Sequence, residues 1–356
     1  MRSIKRHWPT VIVLVVFLSS FSSAQNTTPD VRQLEQGNPI ERELAGGEIH
    51  AYSIQMTEGQ FLSVIVDQRG IDVAVALLGP DGKQIEAIDS PNGTTGPEPV
   101  SVLAKVSGLY RIEVRSPDKL AHAGRYEVRI EALRQATPED KKFGRIKDLA
   151  VTLANVKTED EGVAALAKEP ELITVELANA LNVLGWIQQA QQASVTYRLE
   201  LRIAEQLGYR EGIAKSLNNL AVAYRDLGDL KQALEYFQKS LSLIEELGDK
   251  NGIAITLVNV GLTSFRLGDY QESLKNYQQS LTLSEKSGNR TRLANTLSSI
   301  SLVYRATGDF GQALDCAQRA LALHESLGNT GGAADAQMNI GIVYGSMGDY
   351  ARALEH

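Results

Sequence analysis

The tripeptide Leu227-Gly228-Asp229 returns as Leu267-Gly268-Asp269, Thr307-Gly308-Asp309 and Met347-Gly348-Asp349, each 40 residues after the last. A fixed period of this length constrains the fold more than composition does, because it marks one supersecondary unit stacked on copies of itself. Around each copy a small residue recurs at Ala221, Gly261, Ser301 and Gly341, Ala or Ser at Ala233, Ser273, Ala313 and Ala353, and Leu at Leu234, Leu274, Leu314 and Leu354. Glu245, Glu285 and Glu325, followed by Gly248, Gly288 and Gly328, close the unit.

Each unit reads as two antiparallel helices. Leu217, Leu220, Ala221 and Tyr224 fall at i, i+3, i+4 and i+7, one helical stripe, before Gly228-Asp229 breaks the chain. A second stripe, Ala233, Leu234, Phe237, Leu241 and Ile244, lies on a helix expected from about Lys231 to Leu247 and ended by Gly248. One such hairpin cannot bury its own apolar faces, so the copies must stack into a curved solenoid.

The repeating residues resemble the tetratricopeptide repeat. Its signature of a small residue, Tyr, Gly-Asp, Ala, an aromatic and a small residue is met by Ala221, Tyr224, Gly228-Asp229, Ala233, Phe237 and Ser240. Two departures stand out: Glu245, Glu285 and Glu325 replace the family's usual proline, and the period is 40 where about 34 is usual. That pattern is similar to the long-helix repeats of kinesin light chains and of bacterial multi-repeat proteins. A degenerate copy is expected 40 residues earlier, with Leu177, Leu181 and Leu184 on its first helix and Ala193, Tyr197, Leu201 and Glu205 on its second, joined at Gln188-Gln189.

The resemblance implies a ligand groove lined by four positions of each first helix. Here these are Lys215, Asn218, Val222 and Arg225; Ile255, Val258, Leu262 and Phe265; Asn295, Ser298, Leu302 and Arg305; and Asp335, Met338, Ile342 and Gly345. The third of each set is apolar, and Arg225, Arg266 and Arg305 flank that stripe. Such chemistry suits an extended or helical peptide with apolar anchors and acidic side chains, since a guanidinium grips a carboxylate with two hydrogen bonds. The same stripe could instead pack within the superhelix. The Lys/Asn carboxylate clamp of chaperone-tail binders is missing, which disfavours that ligand.

Ahead of the repeats the period changes from 3.6 to 2. Segments at His50 to Ile54, Phe61 to Val66, Val73 to Leu78, Val100 to Ala104, Tyr110 to Val114 and Tyr126 to Ile130 alternate like strands, with turn residues at Thr57-Glu58-Gly59, Gly79-Pro80-Asp81-Gly82, Pro91-Asn92-Gly93, Ser107-Gly108 and Ala123-Gly124. About eight short strands without a helix-length stretch predict an antiparallel β-sandwich, its edges blunted by Pro39, Pro97 and Pro99. The order of Gly47-Glu48, Gly59-Gln60, the Gly79 hairpin, Gly108-Leu109-Tyr110 and Gly124-Arg125-Tyr126 resembles the bacterial pre-peptidase C-terminal β-sandwich. That resemblance implies an accessory module. Asp67, Asp72, Asp81 and Asp89 match no complete calcium loop and read as turn residues. The aromatics Tyr52, Phe61, Tyr110 and Tyr126 are placed mostly inward by alternation, against a carbohydrate platform.

Arg2, Lys5 and Arg6 precede an apolar run from Val11 to Leu18 and the small residues Ser22-Ser23-Ala24. The run is too short to span a bilayer, which takes about 20 residues, so a secretory signal peptide cleaved before Gln25 is expected. No cysteine lies there for a lipid anchor, and export should place the protein in a periplasmic or extracellular space without stable membrane insertion. Its removal takes away three positive charges and no acid, moving the formal charge from −7 to −10. With no basic stripe, nucleic acid is not an expected partner. Cys316, alone in the chain, can form no internal disulfide and reads as structural. Asn26, Asn92 and Asn289 begin Asn-x-Thr sequons that matter only in a eukaryotic secretory pathway.

The layout expected is thus a multi-domain chain: signal peptide 1–24, antiparallel β-sandwich 25–134, linker and capping helices 135–172, and an all-α repeat superhelix 173–356. The last divides into a degenerate copy at 174–213, complete copies at 214–253, 254–293 and 294–333, and a part-copy at 334–356. Thr137-Pro138 should cap a helix from Glu139 to Val156, and Thr158-Glu159-Asp160-Glu161 a second helix to Lys168. No G-x-S-x-G, H-E-x-x-H, C-x-x-C or phosphate-cradling loop occurs, and His7, His50, His122, His324 and His356 are scattered. No catalysis, cofactor or metal is expected of these residues. The part-copy's short second helix leaves Ile340, Val343 and Tyr344 only partly covered and suggests a fragment. The order of modules is similar to bacterial proteins that continue into a caspase-like CHAT peptidase domain, none of whose His/Cys machinery lies here.

Overall fold

The computed structural model describes residues 30–89 and 94–356. The expected signal peptide, His7, the Pro91-Asn92-Gly93 turn and the sequons at Asn26 and Asn92 lie outside the described residues. Those described form two compact units divided after Ile203.

The first unit begins with nine strands: β1 (Val31–Gln33), β2 (Ile40–Leu44), β3 (Ile49–Met56), β4 (Gln60–Arg69), β5 (Ala74–Leu78), β6 (Gln84–Ile88), β7 (Thr95–Leu103), β8 (Gly108–Arg115) and β9 (Gly124–Gln135). They make a five-stranded sheet, β1-β3-β8-β5-β6, and a four-stranded sheet, β2-β9-β4-β7. The sandwich is not wholly antiparallel as expected, because β1 pairs with β3 in parallel. The reason is topological: between them the chain crosses to the other sheet as β2, so it re-enters in its original direction. Pro97 and Pro99 sit on the edge strand β7, and Pro39 directly precedes the edge strand β2, where a missing N–H costs the ladder least.

Alternation places Ile54, Leu62, Val64, Leu77, Ile112 and Val128 in one core with Tyr52, Tyr110 and Tyr126. Phe61, which alternates with the core-facing Leu62, is buried outside that core with the Arg134 guanidinium over its ring, so none of the four aromatics is exposed as an outward platform. The Tyr126 hydroxyl lies 2.7 Å from His50 Nδ1 and 2.5 Å from the Tyr52 hydroxyl. Burial lowers the His50 pKa and raises those of both tyrosines, so the cluster stays neutral.

Next come α1 (Pro138–Asn155), α2 (Glu159–Leu166), a 3-10 turn (Pro170–Leu172), α3 (Val175–Trp186) and α4 (Ala190–Leu207). Thr137 caps α1 in a complete capping box with Asp140. Thr158 also caps α2, but Glu161 reaches the Lys157 N–H and not that of its own cap, so the second box forms only in part. Two carboxylates tie the sandwich to α1. Asp140, its side chain 1% exposed, accepts hydrogen bonds from Arg134 and from the Thr137 N–H and hydroxyl. Lys147 reaches across to Glu86 on β6 at 2.6 Å. The hairpin α3–α4 is the degenerate copy: Leu177, Leu181, Leu184, Ala193 and Tyr197 are buried, and the Tyr197 ring leaves no room for a side chain at Gly185.

The second unit is a run of helix pairs: α5 (Arg210–Asp226) with α6 (Leu230–Leu247), α7 (Lys250–Leu267) with α8 (Tyr270–Ser287), α9 (Arg290–Thr307) with α10 (Phe310–Ser326), and α11 (Thr330–Ser346) with α12 (Tyr350–Glu355). The Gly-Asp dipeptide explains each turn within a pair. Gly228, Gly268, Gly308 and Gly348 take φ between 81° and 87°, the left-handed region that stops a helix. Asp229, Asp269, Asp309 and Asp349 then cap the next helix, each side chain accepting from the N–H three residues on, a contact of about 1 kcal/mol each. Ser240 and Ser280 donate to the carbonyls of Ala214 and Ala254 at 2.8 Å and staple two pairs internally. Facing sizes are complementary: Ala221 meets Phe237, and Gly261 lies under the Tyr277 ring. Ile340, Val343 and Tyr344, expected to be only partly covered, are buried, with Arg352 and His356 against the Tyr344 ring.

Candidate binding groove

The curvature of the array identifies its inner side. First helices of successive pairs touch directly, α5 with α7, α7 with α9, and α9 with α11, whereas second helices meet chiefly the first helices around them. Elements on the inside of a curve are the closer ones, so the first helices line the concave side.

On that side Lys215, Ile255, Asn295 and Asp335 are exposed, and Asn218, Val258 and Ser298 are half-buried, with Met338 exposed. Val222, Leu262 and Leu302 are half-buried and Ile342 is 40% exposed, so the apolar stripe opens toward the last pair. Val222 packs beside Phe237, and Val258, Leu262 and Phe265 pack against the cluster that holds Tyr277 and Ile300. The stripe therefore has an inner edge sealing the array and an outer edge open to the groove. Gly345 occupies the Arg225 and Arg305 position in the last pair, where it is half-buried.

The arginines differ. Arg225 is buried, its Nε 3.1 Å from Asp226 Oδ1 and its Nη1 donating to Asn259 Oδ1 at 3.3 Å. Arg266 lies 3.7 Å from the same Asp226 carboxylate. Arg305 is half-buried, and its Nε is buried without a hydrogen-bond partner. Sequence reasoning treated the three as equivalent. It also missed a polar column, Asn219, Asn259, Ser299 and Asn339, whose signal was present as a 40-residue recurrence. Asn259 Nδ2 donates to Asn218 Oδ1 at 3.3 Å and its Oδ1 accepts from Arg225, so this member of the column stitches α5 to α7.

Other sites are weaker. A cleft of about 360 Å³ is lined by Glu245, Ile253, Leu257, Gln279, Thr282 and Leu283, away from the groove columns. Among the described residues no group of three His, Cys, Asp or Glu side chains could hold a metal. The four sandwich aspartates form no common cluster: Asp67 pairs with Arg69 and Asp81 accepts from the Lys83 N–H, while burial raises the pKa of Asp72 and Asp89, and the Asp72 charge adds to the rise at Asp89. Cys316 is buried, which pushes its thiol up and away from reactivity.

A sequence profile of the tetratricopeptide repeat matches residues 176–246, 252–326 and 292–356. The helical segment is a tetratricopeptide-repeat array. Solved structures similar to it include BtubC (BKLC) from P. vanneervenii, 19% identical over 59% of this chain and 87% of that one, with a TM-score of 0.48. NprR in complex with its cognate peptide NprX is 18% identical over 62% of this chain and 66% of that one, with a TM-score of 0.45. The β part matches the pre-peptidase C-terminal domain of a Bacillus anthracis collagenase, 17% identical over 30% of this chain and all of that domain, with a TM-score of 0.25. No curated protein sequence matches the chain. No helix among the described residues is long and apolar enough to cross a membrane. The tetratricopeptide array thus presents one inner face with an apolar stripe, an asparagine column and arginines of unequal pairing.

Proposed function

We propose that this protein is a non-catalytic scaffold whose tetratricopeptide groove binds a peptide or protein segment, with the β-sandwich as an accessory module. The observation that carries the reading is the stripe Val222, Leu262, Leu302 and Ile342, which stays partly open on the concave side while polar groups flank it. Apolar anchors beside hydrogen-bonding side chains are what a groove needs to hold an extended or helical segment. Export to a periplasmic or extracellular space is part of the proposal, on the strength of the charged, apolar and small-residue order from Arg2 to Ala24. The order of sandwich and 40-residue repeats favours a second reading, in which the array is the sensing part of a longer CHAT-type peptidase. Selection of a randomised peptide library on the whole chain tests the groove. Enriched peptides should lose binding to Leu262→Asp, whose charge falls in the middle of the stripe. Peptides bound equally by that variant would move the binding surface elsewhere.

A further inference from the structure

The repeats supply an internal control for their own electrostatics. Arg225 and Arg305 occupy the same register, two repeats apart. Arg225 is neutralised by the next residue, Asp226, and held by Asn259 on the following first helix. In the later repeat the asparagine returns as Asn339, but Ala306 stands where Asp226 would be. Among the described residues Arg305 has no ion pair, and its Nε is buried with no partner. Arg266 does not share this condition, since Asp226 faces it too. A partly buried guanidinium without a counter-charge is unfavourable, and a ligand carboxylate would relieve that cost.

The surroundings fit one kind of side-chain pair. Leu302 lies one turn before Arg305 on α9, and Met338 and Ile342, 54% and 40% exposed, face the groove from α11. Gly345 holds the register of Arg305 and Phe265 in the last copy, so α11 brings no side chain to that position. We infer that Arg305 and Asn339 form a carboxylate-reading subsite, so that the bound segment carries an Asp or Glu next to an aliphatic residue seated on Met338 and Ile342. This rests on the groove reading above and adds the charge and location of one ligand residue. The carboxylate takes in the third repeat the place that Asp226 fills in the first.

The test is selection of a random octapeptide phage library on the full chain, followed by affinity measurement of the enriched peptides and of versions with the acid replaced by its amide. Expected is an acidic residue within two positions of an aliphatic one, and about tenfold weaker binding on either the amide change or Arg305→Gln, the scale of one charge-assisted contact. Arg319→Gln removes the same charge from an exposed site on α10 and should leave affinity within about twofold. Enriched peptides without an acid, or equal binding by Arg305→Gln, overturn the subsite while the groove stands, provided Leu262→Asp abolishes binding. If Leu262→Asp binds as well as the wild type, or no peptide is enriched on the wild type over that variant, the groove reading fails and this one with it.

Discussion

Replacing Asp140 by Asn should loosen the start of α1 and do so in a pH-dependent way. The carboxylate is 1% exposed and accepts from Arg134, from the Thr137 N–H and from the Thr137 hydroxyl. Losing its half of the capping box costs about 1 kcal/mol. Losing the charge on its bonds to Arg134 costs about 1 to 2 kcal/mol more, the low end for a charged contact because the guanidinium is 40% exposed. A total of about 2 to 3 kcal/mol corresponds to roughly 30- to 160-fold faster hydrogen exchange at the first amides of α1 at pH 7, if they exchange through local opening. Burial by itself would raise the Asp140 pKa, but the Arg134 and Thr137 hydrogen bonds outweigh it and hold the group below the usual carboxylate range. Its stabilisation is therefore complete above an unfolded value of about 3.9 and is lost as pH falls through the lower folded value. Thermal melts of wild type and Asp140→Asn should differ at pH 7 and converge in strong acid. An exchange change below about threefold, or a melting gap that persists in acid, would refute the reasoning.

The Lys147–Glu86 pair and the repeat core give further tests. Lys147→Met leaves the 5%-exposed Glu86 carboxylate without its cation and should cost about 2 to 3 kcal/mol, read as a lower urea midpoint; adding Glu86→Gln should recover more than half of it. Gly261→Ala would set a Cβ 2.8 Å from the Tyr277 ring. It should lower the melting temperature of the array by an amount equivalent to about 1 to 2 kcal/mol, despite the better helix propensity of alanine, and Tyr277→Leu should rescue it.

The repeat architecture was legible because its punctuation is local. A glycine stops one helix, the aspartate after it starts the next, and neither depends on distant contacts. The sandwich was legible where alternation was apolar, as in β3, β4 and β8. It failed at β1, which is exposed along its whole length, and at β2 and β6, where Glu41-Arg42-Glu43 and Glu86 break the pattern. The parallel β1–β3 pairing follows from a sheet crossing that no short window of sequence reports. In the groove, the recurring apolar position was readable, but the state of each arginine was not. Arg225 is spent on Asp226 and Asn259, and Asn259 lies 34 residues away on another helix. Aligning the repeats column by column would have exposed both the asparagine column and the change from Asp226 to Ala306.

The most direct test of the central claim is a hydrogen-exchange footprint of the full chain with and without a peptide selected from a random library. Concave-side binding predicts added protection on α5, α7, α9 and α11 along the Val222-to-Ile342 stripe, with α6, α8 and α10 unchanged. Protection centred on the second helices, or on the strands, would contradict it.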